Sequence, residues 1–355
     1  MFWLIVLIVL LAAAWAIAEK YLAPPDLSHF DGPVGERFKS HPDDDEHSAK
    51  LLEEIAKIRA EASASKSLKR GFALARDFAD NMSKDLVSDC EFRTVTANGV
   101  PCEWAIAPGA NPENRVLMLH GGAFLLGSPK GHRIYAHNLS HLANAAVLSV
   151  DYRMLPEHRR IKATLDAQST YHWILTQGPD GPTPLNKLVV AGDSAGGNLA
   201  LMLSSWSKTY AARKPDAVVA VAPSADSTLD SPSVADNLKT DKILGEGLGL
   251  LKKLPRPMAL VVGRLLMRMR PNDPLISPLF DDLSDLAPTL LHASSNECLL
   301  GDSIRYANKA QAAGSVVSLQ IWENQLHDWH IFTPNSGSGK EAWAEIGKFL
   351  KKHVS

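Results

Sequence analysis

The stretch Leu188-Val189-Val190-Ala191-Gly192-Asp193-Ser194-Ala195-Gly196-Gly197-Asn198-Leu199-Ala200-Leu201-Met202-Leu203 decides the fold. Its first four residues are a short apolar run of strand character. Its centre is Gly-x-Ser-x-Gly, and its last seven residues read as helix. A strand that turns sharply into a helix leaves the central serine with strained backbone angles and its hydroxyl raised above the sheet. Glycine is needed at 192 and 196 because a Cβ at either place would strike the neighbouring strand or helix. Ser194 is therefore a candidate nucleophile. The pentapeptide alone also arises at ordinary turns; the strand–turn–helix setting favours the catalytic reading.

The same alternation extends on both sides. Strands are expected at 115–120, 146–151, 187–192, 217–222, 288–293 and 316–322. Helices are expected at 131–144, 161–177, 195–211, 302–313 and 339–352. Short β-branched runs separated by helices imply an α/β protein with a mostly parallel central sheet, covered on both faces. A hairpin over 92–97 and 102–107 turns at Asn98-Gly99. Residues 224–275 interrupt the alternation and carry helical patterns at 241–253 and 257–269. Two amphipathic helices, at 47–62 and 66–82, lie within an N-terminal unit at 47–85. Together these segments predict a helical cap over the strand ends of a body spanning 86–355, where open α/β sheets bind ligands.

The chain has 355 residues and a formal net charge of -2, which argues against nucleic acid as a partner. Its three cysteines, Cys90, Cys102 and Cys298, lack metal spacing and form no disulfide framework; Cys90 and Cys102 would pair only in an exported protein. Residues 1–18 carry no charge and as a helix would reach roughly 27 Å, near the thickness of a bilayer core. No Lys or Arg precedes this run, and it is longer than a usual signal-peptide core. That favours a membrane anchor over export with cleavage near Ala18. Residues 19–46 are polar and Pro-rich, ending in Pro42-Asp43-Asp44-Asp45-Glu46, and read as a tether.

A nucleophilic serine needs a base, and the base needs a carboxylate to orient it. His327, in the loop after the last strand, is the candidate base, with His330 as rival. Glu297, after the strand 288–293, is the candidate acid. Asp302 is its rival and reads better as a helix-starting residue; Asp328 and Asp281 are less well placed. His120-Gly121-Gly122-Ala123-Phe124 follows the strand Val116–Leu119. Small residues there let the N–H groups of Gly121, Gly122 and Ala123 approach a carbonyl oxygen, with Ala195 N–H as a further donor.

These motifs together resemble the hormone-sensitive-lipase-like branch of the α/β-hydrolases, over roughly 90–350. His120 to Ser128 resembles that family's oxyanion segment, and Asp151-Tyr152-Arg153-Met154-Leu155-Pro156-Glu157-His158 its D-Y-R-L-A-P-E-H signature. Asp273-Pro274-Leu275-Ile276-Ser277-Pro278-Leu279 is similar to the segment returning from the cap. The resemblance implies an α/β-hydrolase fold and a serine carboxylesterase acting on short- to medium-chain acyl esters. It also implies a Ser194-His327-Glu297 triad, with an acyl-enzyme intermediate. A lactone or N-acyl amide hydrolase is the alternative within enzymes. A non-catalytic small-molecule receptor is the alternative outside them. Two positions depart from the pattern: Ala123 replaces a glycine, and Glu297 replaces the usual aspartate.

His120, Asp193, Asp151 and Arg153 read as supporting residues, the last two as a buried structural ion pair. No metal or organic cofactor is implied. His137 and His141 share a helix face, but without a nearby acid ligand they read as packed or surface histidines. The segment 252–270 carries Lys252, Lys253, Arg256, Arg264, Arg268 and Arg270 among apolar residues. It reads as a cap helix with its bases in solvent, or as a contact with an anionic membrane.

Overall fold

The structure is a computed structural model that describes Trp15 and residues 19–354. The expected anchor or signal segment at 1–18 lies almost wholly outside the described residues. Among those described, no helix is long and apolar enough to cross a membrane.

In chain order the main elements are β1 (Glu36–Phe38), α1 (Asp44–Ala64), α2 (Leu68–Asp80), β2 (Glu91–Ala97), β3 (Val100–Ile106) and β4 (Asn111–Leu119). Next come α3 (Arg133–Ala143), β5 (Ala145–Val150), α4 (Ile161–Ile174), β6 (Lys187–Asp193), α5 (Ala195–Tyr210) and β7 (Ala217–Val221). The chain continues through α6 (Gly245–Lys252), α7 (Arg256–Met267), β8 (Thr289–Ser294), α8 (Leu300–Ala312), β9 (Val317–Trp322) and α9 (Gly337–Val354).

The strands form a nine-stranded sheet in the order β1-β9-β8-β7-β6-β4-β5-β3-β2. Among the described residues of this sheet, only the β2–β3 and β3–β5 pairings are antiparallel. The central strands are apolar on both faces because both faces are covered. Leu117, Leu148, Val190 and Val218 pack with Ala163 of α4 and Leu199 and Leu203 of α5. Val116, Val147, Val189 and Val219 pack on the other face with Tyr135 and Leu139 of α3 and Ile346 and Leu350 of α9.

From β4 the chain moves outward to β5 on one side and returns to β6 on the other. Two neighbouring parallel strands thus send their following loops apart and open a crevice at their carboxyl ends. The turn holding Ser194 follows β6, and the loop beginning at His120 follows β4. The topology alone therefore brings those two segments together.

The N-terminal arm corrects the tether expected at 19–46. Leu27 is buried, and Asp31 accepts two hydrogen bonds from Arg305 at 2.6 and 3.0 Å. β1 adds a parallel strand beside β9, with Phe38 stacked on Trp322 at 4.3 Å. The acidic run does not simply face water. Asp43 accepts from Gly337 N, and buried Asp44 accepts from Ser338 N and Oγ. The first turn of α9 presents N–H groups without helical partners, and these carboxylates satisfy them. All three cysteines are free, so the conditional Cys90–Cys102 pairing is not formed.

Candidate active site

Ser194 has φ 51° and ψ -113°. This strained pair follows from its position between a buried strand and a buried helix. A Cβ on Gly196 would overlap the carbonyl oxygen of Leu119, and one on Gly192 the carbonyl oxygen of Gly196. Ser194 N donates to Val221 O at 2.8 Å, fixing the turn to the end of β7.

His327 lies in the loop between β9 and α9. Its Nε2 is 2.9 Å from Ser194 Oγ, and its Nδ1 is 2.6 Å from Glu297 Oε2. Glu297 lies just past β8, and its other oxygen accepts from Ser294 N at 2.8 Å. All three side chains are buried. The rivals lie elsewhere. His330 is buried against His292, with ring nitrogens 2.8 Å apart. Asp302 accepts from Asp226 N and Ser231 Oγ, and burial next to Asp226 pushes its carboxyl up to about 8.

Asp328 is closer to the chemistry than its sequence context suggests. Its Oδ2 is 3.1 Å from His327 Nε2, on the nitrogen that faces Ser194. Burial raises the Asp328 pKa to about 7, against the pull of His327. Burial likewise opposes a charge on His327, but the carboxylates of Asp328 and Glu297 outweigh it and hold the pKa well above 6.5. Burial raises Glu297 as well, opposed by its bond to His327.

The loop after β4 is as tight as its glycines require. Gly122, Ala123 and Phe124 have φ 114°, 56° and 60°. Among the described residues, none accepts a hydrogen bond from the N–H of Gly122, Ala123 or Ala195. Gly121 lines neither cavity at Ser194; it is buried and abuts Asp193. His120 packs flat on Tyr152 at 4.2 Å, whose hydroxyl donates to His120 O at 2.6 Å. Burial pushes the His120 imidazole down to about 3, so it stays neutral.

The expected Asp151–Arg153 pair does not form. Asp151 is exposed, and the Arg153 guanidinium bonds Asp166 of α4 at 2.6 and 2.9 Å. The reason is register. Asp166 also accepts from Arg153 N at 2.9 Å, so one carboxylate holds both backbone and side chain.

Three residues beside the site were not among the candidates read from the sequence. Buried His132 places Nε2 3.3 Å from Asp193 Oδ2. Buried Arg160 donates to Asn198 Oδ1 at 2.7 Å and Thr164 Oγ1 at 3.1 Å, and lies 3.4 Å from the centre of the Phe124 ring. Asn198 in turn donates to Ser224 O and Ile276 O. It ties the serine helix to the segment 273–279. Arg160 carried no signal, because it sits in the basic run Arg159-Arg160-Ile161-Lys162, which reads as surface.

Two cavities meet at Ser194 and Ala123. One, of about 300 Å³, is walled by Ile55, Ile58, Phe78, Met82 and His327. The other, of about 530 Å³, is walled by Phe124, Arg160, Leu248, Leu251, Leu260 and Met267. Helices α1, α2, α6 and α7 supply most of these apolar walls.

The α/β-hydrolase fold family Abhydrolase_3 matches residues 116–331. The chain is 32% identical to an esterase of Acinetobacter venetianus over 259 residues, 73% of this chain and 81% of that protein. It is 34% identical to the carboxylesterase/phospholipase LipF of Mycobacterium tuberculosis over 265 residues, 73% of this chain and 68% of that one. A solved esterase of the bacterial hormone-sensitive lipase family superposes with a TM-score of 0.72 at 29% identity, covering 86% of this chain and 99% of that one. With this topology, this serine turn and these relatives, the chain belongs to the α/β-hydrolase family, on its hormone-sensitive-lipase-like branch, and is an ester-hydrolysing enzyme.

Proposed function

We propose that the chain hydrolyses short- to medium-chain carboxylic esters through a Ser194-His327-Glu297 triad. The observation that carries this reading is the unbroken relay from Ser194 Oγ through both ring nitrogens of His327 to Glu297, opening onto two largely apolar cavities. Ser194 Oγ attacks the ester carbonyl while His327 Nε2 takes its proton. Glu297 holds Nδ1–H and stabilises the imidazolium. The N–H groups of Gly122, Ala123 and Ala195 receive the charge that develops on the carbonyl oxygen. Nε2 then protonates the leaving alcohol. Water, activated by the same nitrogen, releases the acid from Ser194. Asp193 with His132, and Tyr152 with His120, hold the donor loop from behind.

The helices at 47–85 and within 224–275 act as the cap in this reading, and the two cavities divide acyl from alcohol portions. Ser194→Ala is expected to abolish hydrolysis of p-nitrophenyl acetate and butyrate while the melting temperature is retained. Activity surviving in a folded Ser194→Ala protein would overturn the assignment.

Membrane contact is a second, separate part of the proposal. Residues 1–18 act as anchor, and the basic segment 252–270 lies on an anionic lipid surface. Support for the latter comes from Met258, Val261 and Leu265, which are exposed beside Arg264 and Arg268.

A further inference from the structure

His137 and His141, one turn apart on α3, stand against the linker between α2 and β2. There they meet the acid ligand that the sequence lacked nearby, and a thiol as well. Asp89, Cys90, His137 and His141 each offer one ligand atom, and these atoms all lie within 4.8 Å of one another. His137 Nδ1 is 3.5 Å from Cys90 Sγ and 3.7 Å from Asp89 Oδ1. It is also 2.9 Å from Ser88 Oγ. His141 Nε2 is 2.8 Å from the same Asp89 oxygen. One ring nitrogen thus faces three polar groups, more than a single N–H or lone pair serves. A cation among them serves all the ligands at once.

One separation already fits a small tetrahedral ion. With metal–sulfur bonds of about 2.3 Å and metal–nitrogen bonds of about 2.0 Å, a tetrahedral angle sets sulfur and nitrogen roughly 3.5 Å apart. Cys90 Sγ and His137 Nδ1 already stand at that separation. Asp89 and His141 are the exposed members, so side-chain rotation can adjust their distances. Cys90 is buried and His137 half-buried, which gives the group a fixed inner half. One thiolate, two imidazoles and one carboxylate favour zinc over magnesium or calcium, which prefer all-oxygen shells.

We propose that Asp89, Cys90, His137 and His141 form a four-ligand structural zinc site. Cys90 binds as thiolate, so each Zn²⁺ taken up releases the thiol proton to solvent. The site fastens the linker to the later turns of α3. Ser83 fastens the same linker to the start of α3, donating to Gly131 O and accepting from Ile134 N. The linker leads directly from α2, whose Phe78 walls the smaller cavity. Zinc therefore braces one side of the cap from a point outside the catalytic residues.

The test uses the untagged full chain, stripped with chelator and loaded with zinc chloride or cobalt chloride. One zinc per chain should survive gel filtration. The cobalt form should show a thiolate-to-cobalt charge-transfer band and the intense visible bands of tetrahedral Co²⁺. Saturating zinc should raise the melting temperature by roughly 2–5 °C. Cys90→Ser should remove the charge-transfer band. His141→Gln, at an exposed position that leaves packing intact, should weaken zinc binding about tenfold or more, and zinc should raise the melting temperature of each variant less than that of the wild type, each compared with its own stripped form. Substoichiometric zinc, a cobalt spectrum unchanged in Cys90→Ser, or equal zinc affinity in His141→Gln would each overturn the site.

Discussion

Asp328 Oδ2 and Ser194 Oγ compete for one nitrogen of His327. A carboxylate there favours the imidazolium, which cannot accept the serine proton. At 3.1 Å the charge on Asp328 bears directly on the protonation of His327, and the proposed mechanism needs His327 neutral. Activity should therefore rise with pH on a limb whose midpoint lies above 6.5, the ordinary histidine value. Asp328→Asn keeps the shape and tolerates the residue's φ of 57°. It should move the acid limb of kcat/KM down by about one pH unit, measured on p-nitrophenyl butyrate. An unmoved limb would show that Asp328 does not set the protonation of His327. Ala123 is the other decisive residue. Its methyl group stands at φ 56° where two cavities meet. Ala123→Gly should relieve that backbone and widen the space beside the acyl carbon. Hydrolysis of tert-butyl acetate relative to ethyl acetate should rise roughly tenfold; an unchanged ratio would place the barrier to bulky alcohols elsewhere.

At the scale of elements, the acidic run at the start of α1 acts as a cap for α9. Asp44 accepts from Ser338 N and Oγ, His41 N and Gln325 Nε2. Burial would raise its pKa, but these hydrogen bonds outweigh burial and lower it below 3.8. A carboxylate with a lowered folded pKa stabilises the fold above its unfolded value, and the contribution fades as pH falls through the folded one. Asp44→Ala should cost about 2–3 kcal/mol at pH 7 by urea melts, with a smaller difference near pH 3. This element also marks the limit of what the sequence reveals. Gly192 to Gly196, His120 to Ala123, Glu297 and His327 were legible because each is a short motif at the end of a strand. β1 was not, since three residues, Glu36–Phe38, are too few to show a period. The partner of Arg153 was hidden for another reason. Asp166 lies 13 residues away on a helix, and only the packing of α4 brings it near. The approach of Asp328 to His327 comes from loop geometry that spacing does not encode.

At the scale of the molecule, the proposed triad sits at one edge of the sheet while α1, α2, α6 and α7 close over it. The outer face of α7 exposes Met258, Val261 and Leu265 among basic residues. With vesicles of anionic phosphatidylglycerol, the full chain should stay bound at high salt, held by residues 1–18. A chain starting at residue 19 should bind only at low salt, through the bases of α7. Recovery of the unprocessed full chain wholly in the soluble fraction would reject the anchor. The arm that follows has a consequence for how the protein is made. Residues 27–44 find their partners at Arg305, 320–322 and 337–338. During synthesis the arm leaves the ribosome before most of the domain, yet its partners are among the last residues to emerge. It must wait in water through most of translation, and its prolines, glycines and acids suit it to that wait.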